Sequence, residues 1–243
     1  MILMNHAMMG AAGYAAAGGS GSDWWLADGV IDAADCIAAF DPRSAATLTD
    51  SYVNLITPGT LDMLTTDLAE PSLDANGWFF DATLDQGLTF ARAMSDEVSV
   101  VFRYSAIFPP INDAMYVFGR RNGFHNRFFY YDAAYQHTAY GWTGTEFGLG
   151  GSRRQIIGDF AQSATVVMTS SPSTDTTAGY ALGLKETSNS RSDSPFFYVG
   201  HVNGRNMTTD QRGLNGHISH FAAYGVALTE AQALALTAVV DAL

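Results

Sequence analysis

Aromatic rings and guanidinium groups crowd one stretch of this chain. Phe124, His125, Phe128, Phe129, Tyr130, Tyr131, Tyr135, Tyr140 and Trp142 follow one another closely, with Arg120, Arg121 and Arg127 beside them. Exposed aromatics next to Arg make platforms on which sugar rings stack, or hot spots for another protein. Alternation through 128–131 sends half of those rings into a core. The candidate ligand-binding residues are therefore Tyr135, His137, Tyr140 and Trp142.

Hydrolytic chemistry finds less support. A glycosidase of the two-carboxylate kind flanks the scissile bond with Asp or Glu. In one such arrangement, E-x-D-x-x-E on a strand, the period of two brings the first two acids to one face. The five glutamates, Glu70, Glu97, Glu146, Glu186 and Glu230, do not fall into that pattern. The nearest acids, Asp96-Glu97, precede a strand as a solvated pair would. There is no G-x-S-x-G elbow, and the glycine run at 148–152 lacks the strand–loop–helix setting of a phosphate loop. No catalytic residue is assigned, and the chain is expected not to be an enzyme.

Metal binding is weighed the same way. His217-x-x-His220 suggests a ligand pair, but residues three apart on a regular strand point to opposite faces. Asp81, Asp85, Asp193 and Asp210 lie in loops where calcium could be held, yet they read equally as turn-capping carboxylates. Cys36 is the one cysteine, which excludes an internal disulfide and a cysteine metal cluster. Neither a metal nor a cofactor is expected.

The elements that would position these groups are mostly short strands. Runs at 36–40, 78–80, 87–90, 98–104, 115–118, 127–131, 155–157, 164–168, 180–184, 196–199 and 217–224 are apolar, β-branched or aromatic. Gly, Asn, Ser and Pro clusters separate them, with turn signals at Pro58-Gly59 and Asn76-Gly77. Strands at this spacing predict an all-β sandwich or barrel. One helix is expected near the C-terminus, capped by Thr229 with Gln232 completing a capping box. Its apolar stripe is read as Leu228, Ala231, Leu234, Ala235 and Ala238.

Composition narrows the partners. The 243 residues carry a formal charge of −12, which argues against nucleic acid, since phosphate binding needs clustered bases. Charged residues make up only 15%, so Ser, Thr, Asn and Gly must do most of the solvating, as in extracellular β-proteins and virion components. Residues 1–22 are Gly/Ala-rich and lack charged side chains. Their glycines, Asn5 and His6 make a poor membrane span, and no positive segment marks a secretory signal. They are read as an assembly arm whose apolar contacts are Met1, Ile2, Leu3, Met4, Met8, Met9 and Tyr14. Residues 23–243 form one domain, with 23–60 as a lead-in segment and 61–243 as the main body.

The order of these pieces resembles a known family. Gly77-Trp78-Phe79-Phe80-Asp81 with Gly87-Leu88-Thr89-Phe90, then Val98-Ser99-Val100-Val101-Phe102-Arg103, then Phe197-Tyr198-Val199-Gly200, then 216–224 with 227–232, is similar to the strand series of laminin-G-like, concanavalin A-like jelly-rolls. The upstream segments 30–40, 51–55 and 58–60 resemble jelly-roll proteins of tailed-bacteriophage virions. The resemblance implies a jelly-roll sandwich with a short C-terminal helix and an extended N-terminal arm. It implies a non-enzymatic virion component: a capsid decoration, tail fibre or tail-tip protein. Such a protein sits on the extracellular particle and works with other virion proteins and copies of itself, with a host-surface glycan as a further expected partner. The alternative is a free-standing or cell-surface glycan-binding adhesin; a glycan-cleaving enzyme ranks below both.

Overall fold

The computed structural model describes residues 23–243, apart from 66–68, 85, 92–96, 108–113, 121–126, 133–137, 142–153, 158–162, 172–175, 182–183, 189–196 and 200–212. The arm residues, Tyr135, His137 and Trp142 lie outside the described residues, as do the loop acids Asp85, Asp193 and Asp210.

The described chain is mostly antiparallel β-sheet. Sheet A contains β1 (Cys36–Phe40), β3 (Ser72–Asp74), β4 (Gly77–Phe80), β6 (Val98–Ala106), β11 (Ser163–Ser171), β12 (Thr176–Ala181), β13 (Leu184–Ser188) and β15 (Gly216–Tyr224). Its order is β13-β12-β11-β6-β15-β4-β3. Strand β1 shares an edge of β15 with β4: β4 pairs along 216–218 and β1 along 221–224. Sheet B contains β2 (Leu64–Thr65), β5 (Leu88–Phe90), β7 (Ala114–Arg120), β8 (Arg127–Asp132), β9 (Thr138–Gly141), β10 (Arg154–Ile157) and β14 (Phe197–Val199), in the order β10-β9-β8-β7-β14-β5-β2. A 3-10 helix at Trp24–Gly29 and two α-helices, α1 (Leu48–Ser51) and α2 (Glu230–Asp241), complete the set among the described residues.

The inner layer joins the two sheets. Phe40, Trp78, Phe80, Val100, Phe102, Tyr104, Val166, Met168, Ile218 and Phe221 from sheet A pack with Leu88, Phe90, Val117 and Val199 from sheet B. A second layer lies on the outer face of sheet A. Ala39, Val101, Val167, Ala222 and Tyr224 there meet Trp24, Ala27 and Ile31 from the lead-in segment and Ala233, Leu236 and Val240 from α2. The central strands are thus buried on both faces. This is why 98–104 and 221–224 are mostly apolar at successive positions, where a half-solvated antiparallel strand would alternate.

Buried polar groups lock the lead-in segment to this frame. Asn54 is fully buried and its side chain makes four bonds. Nδ2 donates to the Ile37 and Thr60 carbonyls, and Oδ1 accepts from the Ala39 and Ile56 N–H groups. Trp78 Nε1 donates to Ser51 Oγ at 2.7 Å. Ser99 Oγ donates to the Val226 carbonyl and accepts from the Leu228 N–H, both at 2.9 Å, tying the link before α2 to β6.

Three expectations need correction. The capping box of Thr229 and Gln232 is present, but α2 buries Ala233, Leu236, Thr237 and Val240, while Ala231, Leu234 and Ala238 are exposed. The helix is apolar nearly all round, so periodicity alone did not distinguish its faces. The run at 180–184 is divided between two paired strands and is not one strand: β12 ends at Ala181 and β13 begins at Leu184, its register partner. The turn at Asn76-Gly77 is shifted by one residue, since Gly77 pairs with Asp74 and already belongs to β4. Gly77 has φ 111°, and a Cβ there would sit 2.4 Å from the Ile218 carbonyl oxygen.

Candidate functional site

The outer face of sheet A is built in cross-strand rows. One row beneath α2 is apolar: Val167, Val101, Ala222 and Ala39 are register partners on β11, β6, β15 and β1. Two residues along β6, Arg103 stands between Thr165 and His220. Two further along, Ser163, Ser105, His217, Phe79 and Ser72 form a row across β11, β6, β15, β4 and β3. Ser163 and Ser72 are exposed, and Ser105, His217 and Phe79 are half-buried, so this row reaches solvent.

A β-bulge makes the arrangement possible. Ile218 pairs with Tyr104 and His220 with Arg103, so Ser219 is an extra residue on β15. An inserted residue shifts the alternation by one. His217 therefore stacks on Phe79, with ring centroids 4.9 Å apart, while His220 meets Trp24 edge-on in the outer layer at 5.1 Å. The expectation that these two histidines point to opposite faces is corrected: the spacing argument assumed a regular strand.

The two outer rows differ electrostatically. In the solvent-reaching row, His217 Nε2 lies 2.9 Å from Asp74 Oδ2. Burial is the largest single influence on the Asp74 carboxyl and pulls it upward, but the bonds from His217 and the Asn76 N–H together outweigh it and hold the group below its ordinary value. In the middle row, Arg103 bonds Asp241 at the end of α2, and Thr165 Oγ1 donates to the same carboxylate at 2.6 Å. His220 is 1% exposed. Burial, then the charges of Arg43 and Arg103, push its pKa down to about 3, so the ring is neutral at pH 7. Its Nδ1 meets Ser219 Oγ at 3.0 Å. Its Nε2 lies 3.9 Å from Asp41 Oδ1, and both atoms, like Trp24 Nε1, are buried without a hydrogen-bond partner.

The described part of the aromatic stretch singled out in the sequence, Phe128 to Tyr131 and Tyr140, falls on sheet B. Tyr140 lies on β9, opposite Tyr130 of β8 and Gln155 of β10. Phe128 to Tyr131 lie on β8, beside β7. Sequence reasoning passed over Asp74, Phe79, Ser105 and the middle row. The available signal was the Phe79 position between two core aromatics, Trp78 and Phe80, which forces its ring to the outer face. Among the described residues, groups of three or more His, Cys, Asp or Glu able to hold a metal are absent. No helix among them is long and apolar enough to cross a membrane.

No family model and no curated protein matches the chain. Solved structures do. The sialidase of Trypanosoma rangeli in complex with sialic acid superposes with TM-score 0.61 at 14% identity, over 86% of this chain and 33% of that one. The same sialidase alone gives 0.61 at 12%, and its covalent intermediate with 2,3-difluorosialic acid 0.60 at 13%, with the same coverage. The chain thus spans about a third of the length of the sialidases it matches. At these identities the likeness is one of fold. It corrects the expectation that the chain stands apart from enzymes, because its fold occurs within glycan-cleaving proteins. The expectation rested on a missing carboxylate pair, a rule that does not hold for every glycosidase. The chain shares its all-β fold with one third of the sialidase chain.

Proposed function

We infer that this chain is a glycan-recognising β-sandwich of the concanavalin A-like, jelly-roll type, working as one module of a larger glycan-handling protein or particle. The observation that carries this reading is the shared fold over 86% of the chain with a sialidase in complex with sialic acid. The solvent-reaching row with Phe79, His217 and Asp74 supports it from within the chain. An aromatic ring, hydroxyls and a fixed carboxylate together are the chemistry that stacks on and hydrogen-bonds a sugar. The test is a glycan array probed with the full chain. Binding to a restricted set of glycans is the expected result, and a blank array overturns the reading.

The second reading sets this module on a bacteriophage virion, docked through residues 1–22. It is favoured by the lead-in segment, which resembles phage proteins in sequence and which Asn54 and the β1–β15 pairing build into the body. Light scattering on the full chain and on a chain lacking residues 1–22 tests it. Assembly that disappears with the arm supports it, and identical monomers argue against it.

A further inference from the structure

We propose that the row Ser72–Phe79–His217–Ser105–Ser163 binds a linear, uncharged oligosaccharide laid across the strands of sheet A. The proposal rests on the glycan-recognition reading above and names the ligand class and the place.

Three observations lead to it. The first is spacing. The five residues are register partners on five adjacent strands. Neighbouring strands lie about 4.8 Å apart, so the row spans roughly 19 Å. A pyranose unit in an extended β-linked chain advances by about one strand spacing, so the row matches about four units. The second is chemistry. Phe79 offers a half-exposed ring braced by His217, and hydroxyls stand at both ends and beside the centre. The bond from His217 fixes the Asp74 carboxylate at the rim as an acceptor for sugar hydroxyls. Stacking plus aligned acceptors and donors is what a neutral sugar chain needs, and a peptide strand would instead need a free sheet edge. The third is charge. Among the described residues of the row the Asp74 carboxylate is the fixed charge, Arg103 in the next row is taken by Asp241, and the chain as a whole carries −12. An acidic glycan would meet repulsion from that carboxylate. The outer layer stops short of this row. Trp24 covers the middle row at His220, and the end of α2 meets it at Arg103, while the exposure of Ser72, Asp74 and Ser163 continues to solvent.

The experiment is titration calorimetry of the full chain with neutral β-linked di-, tetra- and hexasaccharides, with a sialylated trisaccharide alongside. The expected result is affinity that rises about tenfold from di- to tetrasaccharide and then levels off, as a row of about four subsites requires. Phe79→Ala should weaken every oligomer by about tenfold. Ser105→Arg, which puts a long side chain across the centre, should weaken tetra- and hexasaccharide binding by about tenfold and so abolish the gain with length. Near-ultraviolet circular dichroism of both variants verifies folding, and Ser105→Arg keeps the test open should Phe79→Ala unfold. Length-independent binding, or length dependence unchanged in Ser105→Arg, overturns the row as the site and leaves the glycan reading standing. Binding of the sialylated trisaccharide alone overturns the uncharged-ligand assignment. Binding of none of these, together with a blank array, removes both readings.

Discussion

Strand β15 has two halves that live in different surroundings. From Phe221 to Tyr224 it is buried on both faces, between the sandwich core and the layer made by Trp24 and α2. From Gly216 to Ser219 its inner face is equally buried, but its outer face carries His217 and Ser219 toward solvent. The bulge at Ser219 separates the halves and resets their alternation. The comparison teaches that one strand can serve as scaffold and as site without a break in its ladder to β6. The covered half holds the frame while the open half can present polar chemistry at little cost to stability.

The sharpest way to break this comparison is at the hinge of the open half. Gly216 has φ 151°, and a Cβ there would lie 2.0 Å from the Ser105 carbonyl oxygen. Gly216→Ala should destabilise by about 3 kcal/mol or more, because the backbones of β15 and β6 must separate. Urea unfolding measures it, and a loss under about 1 kcal/mol would show that the ladder yields there. In the covered half, Leu236→Ala on α2 removes a fully buried side chain from the second layer. It should cost about 3 kcal/mol, read by the same midpoint shift.

Acid sharpens the contrast between the histidines. His220 takes a proton readily only when the chain unfolds. Between its ordinary value of 6.5 and its folded value of about 3, the unfolded state binds the extra proton. Stability therefore falls as pH falls through that window, by at most about 1.4 kcal/mol per pH unit, and His220 adds no pH dependence above it. Unfolding midpoints from about pH 7 to pH 4 should slope accordingly in the wild type, and His220→Met should flatten the slope. An unchanged slope in the variant would assign the acid sensitivity elsewhere. The smallest effect belongs to the polar row. Ser163→Ala, at an exposed position, should change stability by less than about 0.5 kcal/mol, and a larger loss would mean that the row supports the frame.

How far the sequence carried depends on how many sides of a residue were constrained. Strand β1 is legible to the residue, because Asp41-Pro42 stops an apolar run that both layers demand. Strand β6 is legible over 98–104, and runs two residues further, to Ala106. The Thr229–Gln232 cap is local chemistry and is present as expected. The buried face of α2 was not legible, since Ala and Leu occupy almost every direction and only the docking partner selects one. The bulge at Ser219 was invisible, because two polar residues between Ile218 and Phe221 fit either a regular or a bulged strand. With the bulge went the shared outer placement of the histidines, and with that the row that Phe79 and His217 form. The aromatic stretch drew attention through density of side chains, whereas the rows on sheet A arise from register between strands far apart in sequence.

The Ser99 bonds to Val226 and Leu228 carry a further consequence, for the order of events in making the protein. Their partners are separated by 127 and 129 residues. Strand β15 also pairs with β1, β4 and β6, all synthesised long before it. Until β15 arrives, a nascent chain holds β6 with one open edge, β1 without its partner in the sheet, and β4 paired to β3 alone. Contacts this distant in sequence slow folding. Unpaired apolar edges invite pairing with other chains meanwhile. Yield in cells should thus respond to chaperone supply and translation speed more than the finished sandwich, with its strands buried on both faces, would suggest.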